Sequence, residues 1–461
     1  MEIKVLGAAK EVTGSCYSLS ISDEKVLVDC GMFQGDEELE KLNSQDFTFD
    51  PKEYSALLLT HAHLDHCGRI PKLIRSGFKG KIYATDATKE LALIIMKDSA
   101  KIAEGDAEDE NKKRLKENLP QIKPAYNMDD VMKTMKLFVI VEYDKLIKVT
   151  ENISAKFYDA GHILGSSSIQ VIAKDNDKEK IAVFSGDLGQ SSSILMKSIE
   201  PIIDADYVFM ESTYGDRLHE NLDGRRKKLA QIINETHAKG GKLMIPVFAI
   251  ERTQEILYYI RELMTDEIIP KMPVFLDSPM ATRATEVFKK FTKYFNEKVQ
   301  SELEETGDIF SFPELEITKD RAASIAINST KTPCIILAGS GMCSGGRIKH
   351  HIVNNIEDEN NTLLFVGYQV KGTLGNSIQS GEKVVGLLGK TVKVNSRIES
   401  EDGFSAHADK DDLLKWISNF KEKPKVFLIH GDEDQQLALE KTLKKEGFEC
   451  HIPSLNESLD L

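Results

Sequence analysis

Three things are scarce in this sequence, and each absence narrows the chemistry. No uncharged run approaches the length needed to cross a bilayer, so a helical membrane protein is excluded. Cysteine is sparse: Cys16, Cys30, Cys67, Cys334, Cys343 and Cys450 lie scattered, with no CxxC pair and no tight framework. That excludes a disulfide scaffold and reads as reduced cytosolic thiols. Positive charge is short as well, with 60 Lys and Arg against 74 Asp and Glu, a net charge of −14. A broad electrostatic grip on nucleic acid is therefore excluded, although a local basic groove is not. The opening residues, MEIKVLGAAKE, carry no basic flank leading into a long apolar core, so no signal peptide is expected. The expectation is a cytoplasmic protein with no membrane partner.

What is present is material for folded cores. Apolar residues make up 41% of the chain, and 461 residues exceed one ordinary domain, so two are expected. Up to about residue 208 the sequence reads mainly as strands: "IKVLG", "CYSLSIS", "KVLVDCG", "SALLLT", then "ISAKFYDAGH", "SSIQVIA" and "KIAVFSGD". "CGRIPKLIRSG" and "ATKELALIIMKDSAKIA" read as helices, and the charge-rich stretch 104–130 as a solvated helix or mobile excursion. From about 209 helices alternate with apolar strands, which implies βαβ units on a parallel sheet. After about 378 short strands return, followed by a helix, the strand "KVFLIHGD" and a last helix. There is no repeat and no Pro/Gly/Ser-rich seam, so the block 209–378 reads as an insertion between 1–208 and 379–461.

Ligand-type side chains crowd one place. "LLLTHAHLDHCGRIPKL" holds His61, His63, Asp65 and His66 within six positions, just after an apolar strand. Neutral imidazole and carboxylate are zinc ligands. Four ligands so close cannot surround one ion without strain, so two adjacent ions sharing them is the natural arrangement. Such a pair needs further ligands, ideally with a bridging carboxylate. His162 in "DAGHILGS", Asp187 in "FSGDLG" and His430 in "VFLIHGD" each follow an apolar strand and neighbour glycine. Singly, such residues are usually structural. Three with the same local grammar are candidates.

"THAHLDH" with His162, Asp187 and His430 resembles the metallo-β-lactamase fold, an αββα sandwich with two ions at its sheet edges. The resemblance implies one ion on His61, His63 and His162, and another on Asp65, His66 and His430, with Asp187 bridging. Further motifs narrow it: "FMESTYGDR", "PVFAIERTQEIL", "LDSPMA", "AGSGMCSGGRIKHH", "GYQVKGTLG" and "GFSAHADKDDL". Together they resemble the β-CASP branch, which inserts an α/β domain and acts on nucleic acids. Within it, the chain looks like the compact bacterial or archaeal ribonucleases, which are related to the pre-mRNA 3′-end processing endonuclease.

That resemblance implies a metal-dependent ribonuclease acting on single-stranded RNA. A hydroxide held between two ions would attack phosphorus, and His407 would act as general acid, oriented by Glu211. The implied catalytic set is Asp65, Glu211 and His407. The implied substrate contacts are Arg252, Ser340, Gly341 and Arg347, where backbone N–H groups and positive charge can meet phosphate. Glu251, before Arg252, stands where the family pattern carries glycine. The implied cofactor is two zinc ions per chain, with manganese as the alternative, and a homodimer is the candidate assembly. Two other readings stay open: a non-catalytic β-CASP scaffold in an RNA-processing complex, and a small-molecule metallo-hydrolase of the same fold.

Overall fold

A computed structural model describes every residue except Asp36, Asn176, Asp177, Glu220, Asn221, Tyr368, Asp402 and Gly403. Tyr368 of "GYQVKGTLG" and Gly403 of "GFSAHADKDDL" thus lie outside the described residues. The chain forms two compact units. The first comprises 1–191, 196–218 and 407–461, and the second comprises 192–195 and 219–406. Among the described residues no helix is long and apolar enough to cross a membrane.

The first unit is built on two seven-stranded sheets. One runs from Ser458–Asp460 through Glu2–Val5, Tyr17–Ile21, Glu24–Val28, Ala56–Leu58 and Lys81–Ala84 to Phe138–Ile140. The other runs from Cys450–His451 through Lys425–Ile429, Tyr207–Glu211, Lys178–Phe184, Ser167–Asp175 and Ile153–Asp159 to Ile147–Lys148. One apolar core joins them, with Leu19, Val28 and Leu58 from the first sheet meeting Phe157, Ile169 and Phe427 from the second. Phe184, Phe209 and Phe427 stack in sequence, with centroids 4.8 and 4.7 Å apart. Helices Lys410–Ile417 and Glu433–Lys445 bury Leu413, Trp416, Leu439 and Leu443 against Val208, Met210 and Leu428 of the second sheet. The αββα sandwich expected from the resemblance is the architecture found.

Strand direction places the site. Lys178–Phe184, Tyr207–Glu211 and Lys425–Ile429 are parallel neighbours, so their carboxyl ends share one sheet edge. Ile153–Asp159 points the same way, since it and Lys178–Phe184 are both antiparallel to Ser167–Asp175. In the first sheet Glu24–Val28 and Ala56–Leu58 are also parallel. Loops leaving carboxyl ends of parallel strands are where α/β sheets carry ligands.

The second unit contains a six-stranded parallel sheet in the order Leu315–Ile317, Val274–Leu276, Cys334–Ala338, Lys242–Pro246, Thr362–Phe365, Arg397–Ser400. Its βαβ alternation is the pattern read between 209 and 378. The first unit resumes at His407. Arg397–Ser400 is an edge strand of the parallel sheet, and the hairpin Val384–Leu387/Lys390–Lys393 packs Val385, Leu387 and Val392 into the same core. Short strands alone do not reveal which sheet they join.

The charge-rich stretch is helical to Lys116, as the end of a 31-residue helix, Asp86–Lys116. Of "CGRIPKLIRSG", Cys67 ends helix Leu64–Cys67, and Ile70–Arg75 forms a separate helix with Pro71 in its first turn.

Candidate metal centre

The loop after strand Ala56–Leu58 turns sharply, and His63 stands as N-cap of helix Leu64–Cys67. His61 and His63 therefore precede the helix while Asp65 and His66 ride on its first turn. His162 follows Ile153–Asp159, Asp187 follows Lys178–Phe184, and His430 follows Lys425–Ile429. His430 adopts φ 48, and its N–H donates to Ala8 O at 2.9 Å, which fixes the turn.

The seven side chains converge. His63 Nδ1 lies 3.2 Å from both His61 Nε2 and His162 Nε2. Asp187 Oδ2 lies 3.3 Å from His61 Nε2 and 3.5 Å from His162 Nε2. On the other side His66 Nε2 is 3.4 Å from His430 Nε2, and His430 Nε2 is 3.4 Å from Asp65 Oδ2. Asp187 Oδ1 is 3.1 Å from His66 Nε2 and 3.6 Å from His430 Nδ1. One carboxylate thus turns one oxygen to each trio.

The donor set fits divalent metal. Ligands about 2.0–2.1 Å from a tetrahedral zinc stand about 3.3 Å from one another, which matches these spacings. Within each group, His61, His63, His162 and Asp187 or Asp65, His66 and His430, the donor atoms all lie within 4.8 Å. Lone pairs aimed at one point repel unless a cation or proton sits between them. Burial, with the charge on His66, lowers His61 to about 3; burial likewise lowers His63 to about 4. Both imidazoles are therefore neutral, the form that binds metal. His66 goes the other way: burial opposes its charge, but Asp187 and Asp29 push it well above the usual range.

Around the donors sits a supporting set. Asp29, buried at the end of Glu24–Val28, accepts from His66 Nδ1 at 2.7 Å. Thr60 holds it from the other side, with N donating to Asp29 Oδ1 at 2.8 Å and Oγ1 to Oδ2 at 2.7 Å. The bond on Nδ1 leaves Nε2 of His66 facing Asp187 and His430. Thr213 Oγ1 lies 3.2 Å from His430 Nδ1 in the same role. Sequence reasoning singles out neither Asp29 nor Thr213. Asp29 carries a signal all the same, since "VLVDCG" repeats the strand, acid, glycine grammar.

Glu211 and His407 stand beside the donors. Glu211 is fully buried, accepts from Leu188 N at 2.6 Å, and puts both oxygens 3.2 Å from His407 Nδ1. His407 Nδ1 is 4.0 Å from Asp187 Oδ2. Burial opposes its protonation, but Glu211 and Asp187 outweigh that and raise it to about 9.

The four expected substrate contacts lie in the second unit. Arg252 is buried and its guanidinium donates to Glu255 one turn on. Arg347 Nη1 donates to buried Asp277 at 2.5 Å and to Thr318 Oγ1 at 3.1 Å. Ser340 Oγ accepts from Gly345 N at 3.0 Å, closing the loop on itself. A Cβ on Gly341 would stand 2.5 Å from the Phe248 ring, so glycine is required there. Glu251 has φ 66, the left-handed region that explains the family's glycine.

Three family descriptions match: "Metallo-beta-lactamase superfamily" over residues 9–218, "Beta-Casp domain" over 253–378, and "Zn-dependent metallo-hydrolase RNA specificity domain" over 391–453. "Ribonuclease TTHA0252" of Thermus thermophilus is 38% identical over the whole of both chains. The chain belongs to the β-CASP family of the metallo-β-lactamase superfamily. "RNase J-like protein" of Methanocaldococcus jannaschii is 32% identical, covering 96% of this chain and 95% of that one. "Transcription termination factor FttA" of Methanosarcina mazei is 30% identical, covering 97% of this chain and 69% of the relative. A crystal structure of "a Protein of Unknown Function from Enterococcus faecalis V583" superposes with TM-score 0.53 at 15% identity, covering 100% and 99%. That likeness speaks for the fold alone. As a β-CASP protein with this donor set, the chain is a metal-dependent hydrolase.

Proposed function

We propose that the chain hydrolyses phosphodiester bonds of single-stranded RNA using two divalent cations, zinc by preference. The observation that carries this is the split of Asp187, with Oδ2 turned to His61 and His162 and Oδ1 to His66 and His430. His61, His63 and His162 would hold one cation, and Asp65, His66 and His430 the other, with Asp187 shared. Histidine-rich donors favour zinc over manganese. RNA is supported by the names of the relatives and by the RNA specificity domain at 391–453.

Two cations held there supply Lewis acidity toward phosphoryl oxygens and make bound water more acidic. The chain's own residues handle the proton. His407, charged and 19% exposed at its side chain, donates to the leaving oxygen. Glu211 fixes Nδ1 and leaves Nε2 to act. Asp65, with 17% of its side chain exposed, is the carboxylate of the set most open to solvent. On this reading Arg252 and Arg347 meet phosphate only after releasing Glu255 and Asp277, while Ser340 and Gly341 offer backbone.

Labelled single-stranded RNA decides the matter, incubated with and without chelator, beside an Asp187→Ala variant. The expected result is cutting that chelator stops, with Asp187→Ala losing both bound metal and at least about 10³-fold in rate. RNA bound but never cut would favour a scaffold. Thioester cleavage without RNA cleavage would favour a small-molecule hydrolase.

A further inference from the structure

Two free cysteines of the first unit, Cys16 and Cys30, are fully buried. Cys16 precedes strand Tyr17–Ile21 and Cys30 follows strand Glu24–Val28. These strands are antiparallel neighbours with Tyr17 opposite Val28, so both cysteines stand at one end of the same strand pair. They are one step out of register, and in a regular ladder their side chains would point to opposite faces. Asp29 breaks the alternation with φ 58, and the two thiols meet in a hydrogen bond. Neither thiol belongs to the donor set, and the proposed hydrolysis uses neither.

The backbone around the pair grips helix Leu64–Cys67. Ser15 N donates to Asp65 O and Cys30 N donates to His66 O, each at 2.9 Å, and Gly31 N donates to Ser15 O at 2.8 Å. A Cβ on Gly31 would stand 1.6 Å from Asp65 O, so the chain has no slack there. Asp29, next to Cys30, holds His66 Nδ1. Movement of either cysteine is therefore passed to Asp65 and His66. A disulfide sets its sulfurs about 2 Å apart, closer than thiols in hydrogen-bond contact, so forming one draws the two segments together.

We propose that Cys16 and Cys30 are a redox-active dithiol, closed to a disulfide by hydrogen peroxide and reopened by thiol reductants, and that closing it weakens the Asp65–His66–His430 half of the centre. One thiol cleaves the peroxide O–O bond, becoming a sulfenic acid and releasing a water. The second thiol attacks that sulfur, forming the S–S bond and releasing another water. Two electrons pass from the thiols to peroxide, and the two thiol protons leave in the waters. Inside a reducing compartment such disulfides are transient and sense oxidant rather than hold the fold. The effect on metal rests on the two-cation reading above, whereas the disulfide does not.

Peptide mapping and stepwise zinc titration, before and after peroxide, test this on the wild-type protein, Cys16→Ala and Cys30→Ala. Trypsin cuts at Lys25 and so places the two cysteines in different peptides. The treated wild-type protein should give one cross-linked peptide pair joining Cys16 to Cys30, which dithiothreitol separates. One of its two zinc-binding steps weakens about tenfold, and dithiothreitol restores it. Both variants keep their zinc affinities through the same treatment. Recovery of Cys16 and Cys30 as thiols or sulfinic acids after peroxide overturns the proposal. So does a cross-linked protein with unchanged zinc affinities. So does an equal loss of zinc affinity in the treated variants, which marks oxidation elsewhere. The reversal by dithiothreitol is read in the wild-type protein alone, so the test stands where a variant does not fold. Should the reduced wild-type protein take up no zinc, the two-cation reading fails, and the peptide map decides the dithiol separately.

Discussion

The two units bury charged side chains in opposite ways. In the second unit Asp277, fully buried, is surrounded by donors: Arg347 at 2.5 Å, Ser324 at 2.6 Å, and His351 at 2.7 Å. His351 is tied again, its Nδ1 lying 3.2 Å from Asn328 Oδ1. Each group there is answered by the protein itself. In the first unit His61, His63 and His162 turn nitrogens toward one another and toward Asp187, and His162 Nδ1 has no partner. A satisfied network holds a fold together, and convergent acceptors hold something else. Buried charge alone does not distinguish a brace from a ligand site; the direction of the lone pairs does.

His407 offers the largest test of that contrast once the seven convergent side chains are set aside. It stands beside the convergent group, within reach of Asp187 and His430, yet its Nδ1 faces Glu211, and on the proposed reading it serves the chemistry and not the metal. His407→Ala should lower kcat by about 10²–10⁴-fold while bound zinc, measured by atomic absorption, stays at the wild-type amount. Loss of metal in that variant would instead make His407 a ligand. Glu211→Gln removes the charge that favours imidazolium, so the alkaline limb of the rate profile should move to lower pH.

Asp277 is the next largest, and its effect falls on stability. Removing the carboxylate leaves Arg347 and His351 without their anion. Asp277→Ala should destabilise the second unit by about 3–5 kcal/mol in denaturant titration, with zinc content unchanged. Burial raises the Asp277 carboxyl, but hydrogen bonds from His351, Ser324, Thr318 and Arg347 outweigh it and hold it below the usual range. A depressed native value means stability is present above about pH 4 and lost as pH falls below it. Asp277→Asn should flatten that acid limb. Unfolding equally sensitive to acid in both proteins would remove Asp277 from the account.

Much of the centre is legible in the sequence, and the boundary of legibility has a physical cause. His162, Asp187 and His430 can be read because each obeys a local pattern, a strand end beside glycine, and parallel strands bring such ends together. Asp29 obeys it too, but its role is visible only through His66 Nδ1, 37 residues away. Arg252 and Arg347 are legible as charge and illegible as pairs. Glu255 is close in sequence, but Asp277 and Arg347 are 70 residues apart. Strands 384–400 are legible as strands, while the sheet that takes the last of them depends on pairing with Thr362–Phe365.

Asp29 gives the smallest and sharpest test, because it is a satisfied acid serving the unsatisfied group. It accepts three hydrogen bonds, two from Thr60 and one from His66. By its own partners it resembles Asp277; by its place it serves the metal centre. Asp29→Ala frees His66 to rotate or to change tautomer, so zinc affinity should fall by about 10–100-fold. Asp29→Asn keeps an acceptor and the shape, so its loss should be smaller. The change should appear in one of the two binding steps, since Asp29 bears on His66 alone among the donors. Zinc competition with a chelator reads each step in turn. Wild-type affinity in Asp29→Ala, with a lowered melting temperature, would make Asp29 a structural brace like Asp277 and confine the functional set to residues that touch the donors' common point.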